Sequence, residues 1–317
     1  MSSQFSSIPQ FHCLYQPVKM WRNIFWLVVL VALDATFFLQ SPDSTSKCGG
    51  GSTTPFLKTV DDPNCPHVMY IVGLIVGDKE IEIFRSCYDP KTMTAYYSIS
   101  PYIPTNSRAD RPQTEFFRDG LISAADAASF QRANIYNQFE ALLGPGQQYI
   151  PSPQSSSFDR GHLTPSADFS DPRVMEQTNR YINAFPQHYR INRSNWRTIE
   201  NWVRQFEDTV SILTGVLGIL ELNNMDQQPT PIYLAEGKNP VPKWVYKIVH
   251  SEKQEMTYVI MTSNNGWATE RPDASEFCKE IPCPPSLILK GFGFTICCEP
   301  QDFIDRNLPN YSDKFEK

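Results

Sequence analysis

Stretches in which apolar residues alternate with polar ones, or in which β-branched and aromatic residues cluster, recur along the chain. They are EIEIF (80–84), TAYYSIS (94–100), VSILTGVL (210–217), PIYLA (231–235), KWVYKIVH (243–250) and MTYVIMT (256–262). A period of two and enrichment in Val, Ile, Tyr and Thr predict strands. Two segments change period. Residues 173–183 predict a helix. So do residues 194–208, where Trp196, Ile199, Val203 and Phe206 fall at near-helical spacing behind Ser194 as N-cap. Residues 101–157 carry Pro, Ser and Gly throughout and predict loop. Strands on both sides of a helical middle predict an α+β fold, a central antiparallel β-sheet flanked by helices.

One apolar stretch breaks this pattern. Residues 24–39 read IFWLVVLVALDATFFL, with Lys19 and Arg22 before it and SPDSTSK after it. A positive flank, an apolar centre and a polar exit predict a signal peptide within residues 1–40. A membrane anchor over 24–39 is the alternative. It is disfavoured because the stretch is only 16 residues long and holds Asp34, a costly group in a bilayer. Met20 is an alternative start. Residues 41–64, rich in Ser, Thr, Gly, Pro and Asp, predict a linker or extended arm. No further tract of that kind and no repeat follows, so residues 65–317 read as one domain.

The cysteines agree with export. Cys13 precedes the apolar stretch, and Cys48, Cys65, Cys87, Cys278, Cys283, Cys297 and Cys298 follow it. A secretory leader predicts at least two disulfides among these seven, with one cysteine left free or bridging to another chain. A zinc site is disfavoured, because there is no CxxC pair and no histidine at ligand spacing. The overall charge of −6 excludes a generally basic, histone-like nucleic-acid binder. Any dealing with polyanions must rest on a local patch or a metal.

The local chemistry concentrates in FDRGHLTPSADF (158–169), NRYINAFPQ (179–187) and INRSNWRTIE (191–200). His162 is the side chain suited to take a proton near neutral pH. Arg160 lies two residues away, so in an extended chain both leave the same face, a base beside a phosphate-binding cation. Asn179, Asn183 and Asn192 offer neutral hard oxygens that suit Mg²⁺ or Ca²⁺. Asn179 and Asn183, four apart, share a face of the expected helix. Glu200 follows Asn192 by about two helical turns and could hold a metal or its water. Singly these are ordinary features: a surface ion pair, a helix cap, a core tryptophan at 196. Their order within 43 residues is not. Residues 158–204 also carry seven arginines against five acids, a modest local excess in an acidic chain.

DRGH, then N-x3-N-x2-P-Q, then N-x3-W-x3-E, resembles the DNA/RNA non-specific endonuclease family, the ββα-metal or His-Me finger nucleases that include endonuclease G. Arg111-x4-Phe116-x2-Asp119, LTGVLG (213–218) and VPKWVYKIVH (241–250) resemble further segments of that family. The likeness covers about residues 78–305, strongly at 158–200. It departs at Val216, where the family often has proline, and in the Cys-rich carboxyl end. The resemblance implies hydrolysis of DNA and RNA to 5′-phosphate products with a single Mg²⁺, for which Mn²⁺ can substitute. It implies His162 as general base, Asn192 as direct metal ligand and Glu200 as holder of metal-bound water. Arg160 would steady the phosphate or the local fold. Asn183 and Asn179 would position the base and substrate, and Arg111 would contact phosphate. Homodimers are common in the family, and the sequence carries no interface signal of its own. With the leader, the expected location is extracellular, without stable membrane association after cleavage. A mitochondrial location fits the apolar stretch and the cysteines badly. The competing reading is a nucleic-acid- or protein-binding pseudoenzyme, which should have lost His162, Asn192 or Glu200.

Overall fold

A computed structural model describes residues 53–107 and 109–311. The signal segment, Cys13 and Cys48 lie outside the described residues. In chain order, β1 (Thr53–Val60), β2 (Val68–Val76), β3 (Lys79–Asp89) and β4 (Thr94–Tyr102) form a meander. A long excursion follows. It holds α1 (Arg132–Leu143), β5 (Phe158–His162), α2 (Pro172–Gln177), β6 (Ala184–His188) and α3 (Arg197–Val203). The chain returns through β7 (Val210–Ile219). Two small hairpins come next, β8 (Glu221–Asn223) with β9 (Pro229–Pro231) and β10 (Tyr233–Ala235) with β11 (Lys238–Pro240). Then follow β12 (Pro242–Ser251), β13 (Met256–Ser263), β14 (Glu280–Ile281), β15 (Thr295–Cys298) and α4 (Pro300–Asn307).

Nine of these strands make one sheet, in the order β1-β2-β3-β4-β7-β12-β13-β15-β14. All its neighbours run antiparallel, as expected for an α+β fold. Strand β12 shows why the sheet forms and what it carries. Trp244, Tyr246 and Ile248 enter the core layer that includes Phe303 and Ile304 of α4. Val245 and Val249 enter the opposite layer, with Trp196 and with Ile199, Trp202 and Val203 of α3. Both faces are thus buried, and the period of two sorts residues between two cores. Trp196 is fully buried, so truncation to Ala should cost about 3–5 kcal/mol.

Among the described residues three disulfides close, Cys65–Cys87, Cys278–Cys298 and Cys283–Cys297. The last two fasten the segment around β14 to β15. No helix among the described residues is long and apolar enough to cross a membrane.

Several expected elements differ. Residues 53–60, inside the Ser/Thr-rich stretch, pair along β2 as an edge strand. Residues 132–143, expected as loop, form α1, whose buried Ile135, Phe139 and Leu143 recur every four residues. PIYLA splits at Ile232 between β9 and β10. The helix expected at 173–183 stops at Gln177, and Arg180 is extended. The helix expected at 194–208 starts earlier and is interrupted. Tyr189–Ile191 is helical, Asn192–Trp196 is a π turn and α3 ends at Val203. Ser194 is not an N-cap; it lies within the π turn at φ −125°, ψ −110°.

Candidate active site

His162 stands at the end of β5, opposite Ala184 of β6. Gly161 is required just before it. A Cβ there would overlap the Gln187 side chain on the paired strand. The segment carrying Arg111, Phe116 and Asp119 is held to residues 179–181, just before β6, by main-chain pairing. Phe117 N–H donates to Asn179 O at 2.8 Å, and Tyr181 N–H to Phe117 O at 3.2 Å.

Three expected site residues therefore meet. His162 Nε2 lies 3.0 Å from Asn179 Oδ1 and 3.3 Å from Arg111 Nη2. Arg111 Nη2 donates to Asn179 Oδ1 at 3.1 Å, and Asn179 Nδ2 donates to Thr114 Oγ1 at 2.7 Å. The imidazole rests edge-on against Phe116, with ring centroids 5.2 Å apart, and the Arg160 guanidinium lies 4.7 Å over that same ring. Desolvation, and then the Arg111 charge, push the His162 pKa down to about 4. Hydrogen bonds to Asn179 and to the Arg160 main chain oppose this only in part. The ring is thus neutral at pH 7, the form a base needs. Asn179 Oδ1 only accepts, so it bonds Nε2 when that nitrogen carries a proton; in the tautomer with Nδ1–H turned to the Arg160 main chain, Nε2 keeps a lone pair and Arg111 Nη2 is the donor facing it.

Asn183 does not share a helix with Asn179. It is fully buried and binds main chain alone. It accepts from Thr164 N–H at 2.8 Å and donates to Thr164 O and Thr178 O, each at 2.9 Å. It thereby fixes the chain just after His162.

Asn192 opens the π turn. Its Nδ2 donates to Asp159 Oδ2 at 2.9 Å, and Arg193 grips the same carboxylate at 3.0 and 2.7 Å. With the amide nitrogen held by Asp159, Oδ1 points away and meets no donor among the described residues. No cluster of three His, Cys, Asp or Glu side chains gathers at ligand spacing among the described residues. A cation here would take one amide oxygen and otherwise water or phosphate, which suits the water-retaining habit of Mg²⁺.

Glu200, on α3, is half-buried beside a charge cluster. Arg204 Nη1 donates to buried Asp168 at 2.7 Å, and buried Lys247 Nζ donates to Thr214 Oγ1 at 2.5 Å and lies over Trp196. Burial pushes the Glu200 pKa up to about 7, with Lys247 as the strongest opposing charge.

A carboxyl-terminal loop at 284–294 holds the π turn from outside. Ser194 Oγ accepts from Phe292 N–H at 2.6 Å, and Asn195 Oδ1 accepts from Gly291 N–H at 2.8 Å. Asn195 Nδ2 donates to Gly293 O at 2.7 Å, and Trp202 Nε1 donates to Ser286 Oγ at 3.0 Å. A Cβ on Gly291 would overlap Ser194 Oγ. Sequence reasoning missed this loop and the orienting role of Asp159. The repeated glycines of KGFGF (290–294) were the available sign of close backbone approach.

Residues 68–303 match the family model for DNA/RNA non-specific endonucleases. The chain is 28% identical over 275 residues to a salivary endonuclease of Lutzomyia longipalpis, covering 82% of this chain and 66% of that protein. It is 27% identical over 179 residues to the mitochondrial endonuclease G of Homo sapiens, covering 54% of this chain and 53% of that protein. A crystal structure of an EndoG/EndoGI complex aligns at TM-score 0.42 and 20% identity over 60% of this chain and 75% of that chain. The chain thus spans between about half and two thirds of the length of these curated relatives.

Proposed function

The chain belongs to the DNA/RNA non-specific endonuclease family, and from that premise we propose that it is a secreted, metal-dependent endonuclease cutting DNA and RNA to 5′-phosphate products. One observation carries the reading. A neutral histidine at the end of the DRGH strand sits within hydrogen-bond distance of Arg111 and Asn179. In this reading a base, a phosphate-binding cation and an orienting amide meet at one point.

In this reading His162 Nε2 takes a proton from the water that attacks phosphorus. The Arg160 main chain holds the ring, Asn179 Oδ1 would accept from Nε2 once it has taken the proton, and Phe116 shields one edge of the ring. Arg111 and Arg160 draw the scissile phosphate to His162; an arginine fork matches phosphate oxygens. Asn192 Oδ1 would hold Mg²⁺ or Mn²⁺, with Asp159 fixing the amide so that oxygen, not nitrogen, faces the ion. Such an ion neutralises charge on the scissile phosphate and the leaving 3′ oxygen. Glu200, when ionised, would accept hydrogen bonds from water on the cation side. Because these groups address phosphate rather than bases, little base preference follows. Secretion is supported by the three disulfides and by the salivary source of one relative.

The test is digestion of plasmid DNA and of RNA by purified protein, with Mg²⁺ or with a chelator. Cleavage of both only with the metal is expected. Inertness on both would overturn the reading.

A further inference from the structure

The seven arginines of residues 158–204 are of two kinds. Arg173, Arg180, Arg193 and Arg204 each pair with an aspartate, respectively Asp171, Asp119, Asp159 and Asp168. Arg160, Arg190 and Arg197 have no carboxylate partner among the described residues. Two of these three lie over aromatic rings with no carboxylate to share, whereas Arg180 and Arg193, over Phe117 and Tyr189, are ion-paired as well. Arg160 covers Phe116 next to His162, and exposed Arg190 covers Phe292 at 3.8 Å, just before the Asn192 turn.

We propose that Arg190, laid on Phe292, is a second phosphate-binding station that grips the substrate backbone on the Asn192 side of the scissile bond. The proposal rests on the nuclease reading. A guanidinium stacked on a ring keeps its edge donors free and its plane fixed, so it can fork onto phosphate oxygens at little entropic cost. No carboxylate must be displaced first. The platform is itself rigid. Phe292 N–H is bonded to Ser194, Phe292 O accepts from Asn195 N–H at 3.3 Å, and the loop is closed by Cys283–Cys297. Exposed Lys290, two residues before Phe292 and also without a carboxylate partner among the described residues, adds positive charge to the same loop. The ion-paired arginines serve the fold; Arg190 has no such duty.

The full chain should be compared with Arg190→Ala, Phe292→Ala and Arg173→Ala on a DNA duplex several helical turns long. Arg190→Ala should raise KM roughly tenfold, the loss of one charge-assisted contact. It should also reduce the slope of log KM against log salt by about one. Phe292→Ala should raise KM by a smaller factor, and Arg173→Ala should change neither quantity. If Arg190→Ala matches Arg173→Ala, the proposal is wrong. It is equally wrong if Arg190→Ala lowers kcat on a dinucleotide as much as on the duplex, because Arg190 would then be bracing the turn. Equilibrium binding of the uncut duplex in chelator separates the two readings. A protein that cleaves nothing fails as a nuclease. A tenfold binding loss in Arg190→Ala would still uphold the station, and equal binding would still refute it.

Discussion

The His162 end and the Asn192 end of the site are built from different parts of the chain. Among the described residues, the side-chain polar contacts of His162, Arg111 and Asn179 all stay within residues 111–183, within the one excursion between β4 and β7. Around Asn192 the inner contact is Asp159, but the turn itself is held by residues 286–293, about a hundred positions downstream. That outer support is fastened by a disulfide and the other is not. In the proposed reading the His162 half, which would handle the proton, should therefore be robust to changes at the carboxyl end, and the Asn192 half, which would hold the cation, should not.

The largest effect tests the first half. His162→Ala should lower the cleavage rate by about 10²–10⁴ while leaving the melting temperature and duplex binding near those of the wild type, because it removes a proton acceptor and little core volume. Wild-type turnover in this variant would remove His162 from its role. The second half comes next. Asn192→Ala should raise the Mg²⁺ concentration needed for half-maximal rate and lower the maximal rate. Asp159→Asn, which frees the amide and Arg193, should weaken metal affinity by about 10–100-fold. Excess Mg²⁺ should rescue Asp159→Asn but not His162→Ala; rescue of both would erase the distinction between the ends.

A third measurement sharpens the comparison. Opening the short Cys283–Cys297 loop, by the double Cys→Ser variant, should cost about 3 kcal/mol of stability. It should also raise the Mg²⁺ requirement several-fold, with kcat at saturating metal changed less. Loss of kcat without a change in metal requirement would show that the loop supports His162 instead.

The smallest effect is pH dependence. Glu200 is raised to about 7, so its carboxylate form is lost as pH falls through neutrality. The rate should drop a few-fold between pH 7.5 and 6.5, roughly as a single protonation dictates. Glu200→Gln should lose that limb and keep only the one near pH 4 that His162 sets. The stability signs are opposite for the two residue types. Burial depresses His162 and His188 to about 4, so their contribution is complete above the ordinary histidine value of 6.5 and is lost as pH falls toward 4. Glu200, raised in the fold, disfavours the folded state as pH climbs through about 7. Melting temperatures across pH 4–8 measure both.

The sheet was legible where alternation reports burial. Residues 94–100, 210–217, 243–250 and 256–262 all lie in strands of the main sheet. PIYLA was misread because Pro231 and its neighbours serve two small hairpins rather than one strand. Strand β5 was only half visible. Asp, Arg, Gly and His have weak strand preference, and the pairing is imposed by β6. His162, Arg111 and Asn179 could be named from motif order, and the fold brings them together. That Asn183 binds main chain alone was not readable, because it depends on where Thr164 passes. Ser194 looked like an N-cap because Ser before an apolar helical pattern usually is one. Here its hydroxyl accepts from Phe292 N–H, 98 residues away, and the chain enters a π turn. Contacts at that separation leave no local trace beyond the glycines of 290–294.

The fastening of the Asn192 turn also has a consequence in time. A chain is synthesised from its amino end, so His162 and its partners emerge and can assemble well before residues 286–293 exist. The Asn192 turn gains its outer hydrogen bonds only once residues 286–293 have been released, and its lock only when Cys283 meets Cys297. In the proposed reading, competence to cut would follow the formation of this support rather than the assembly around His162.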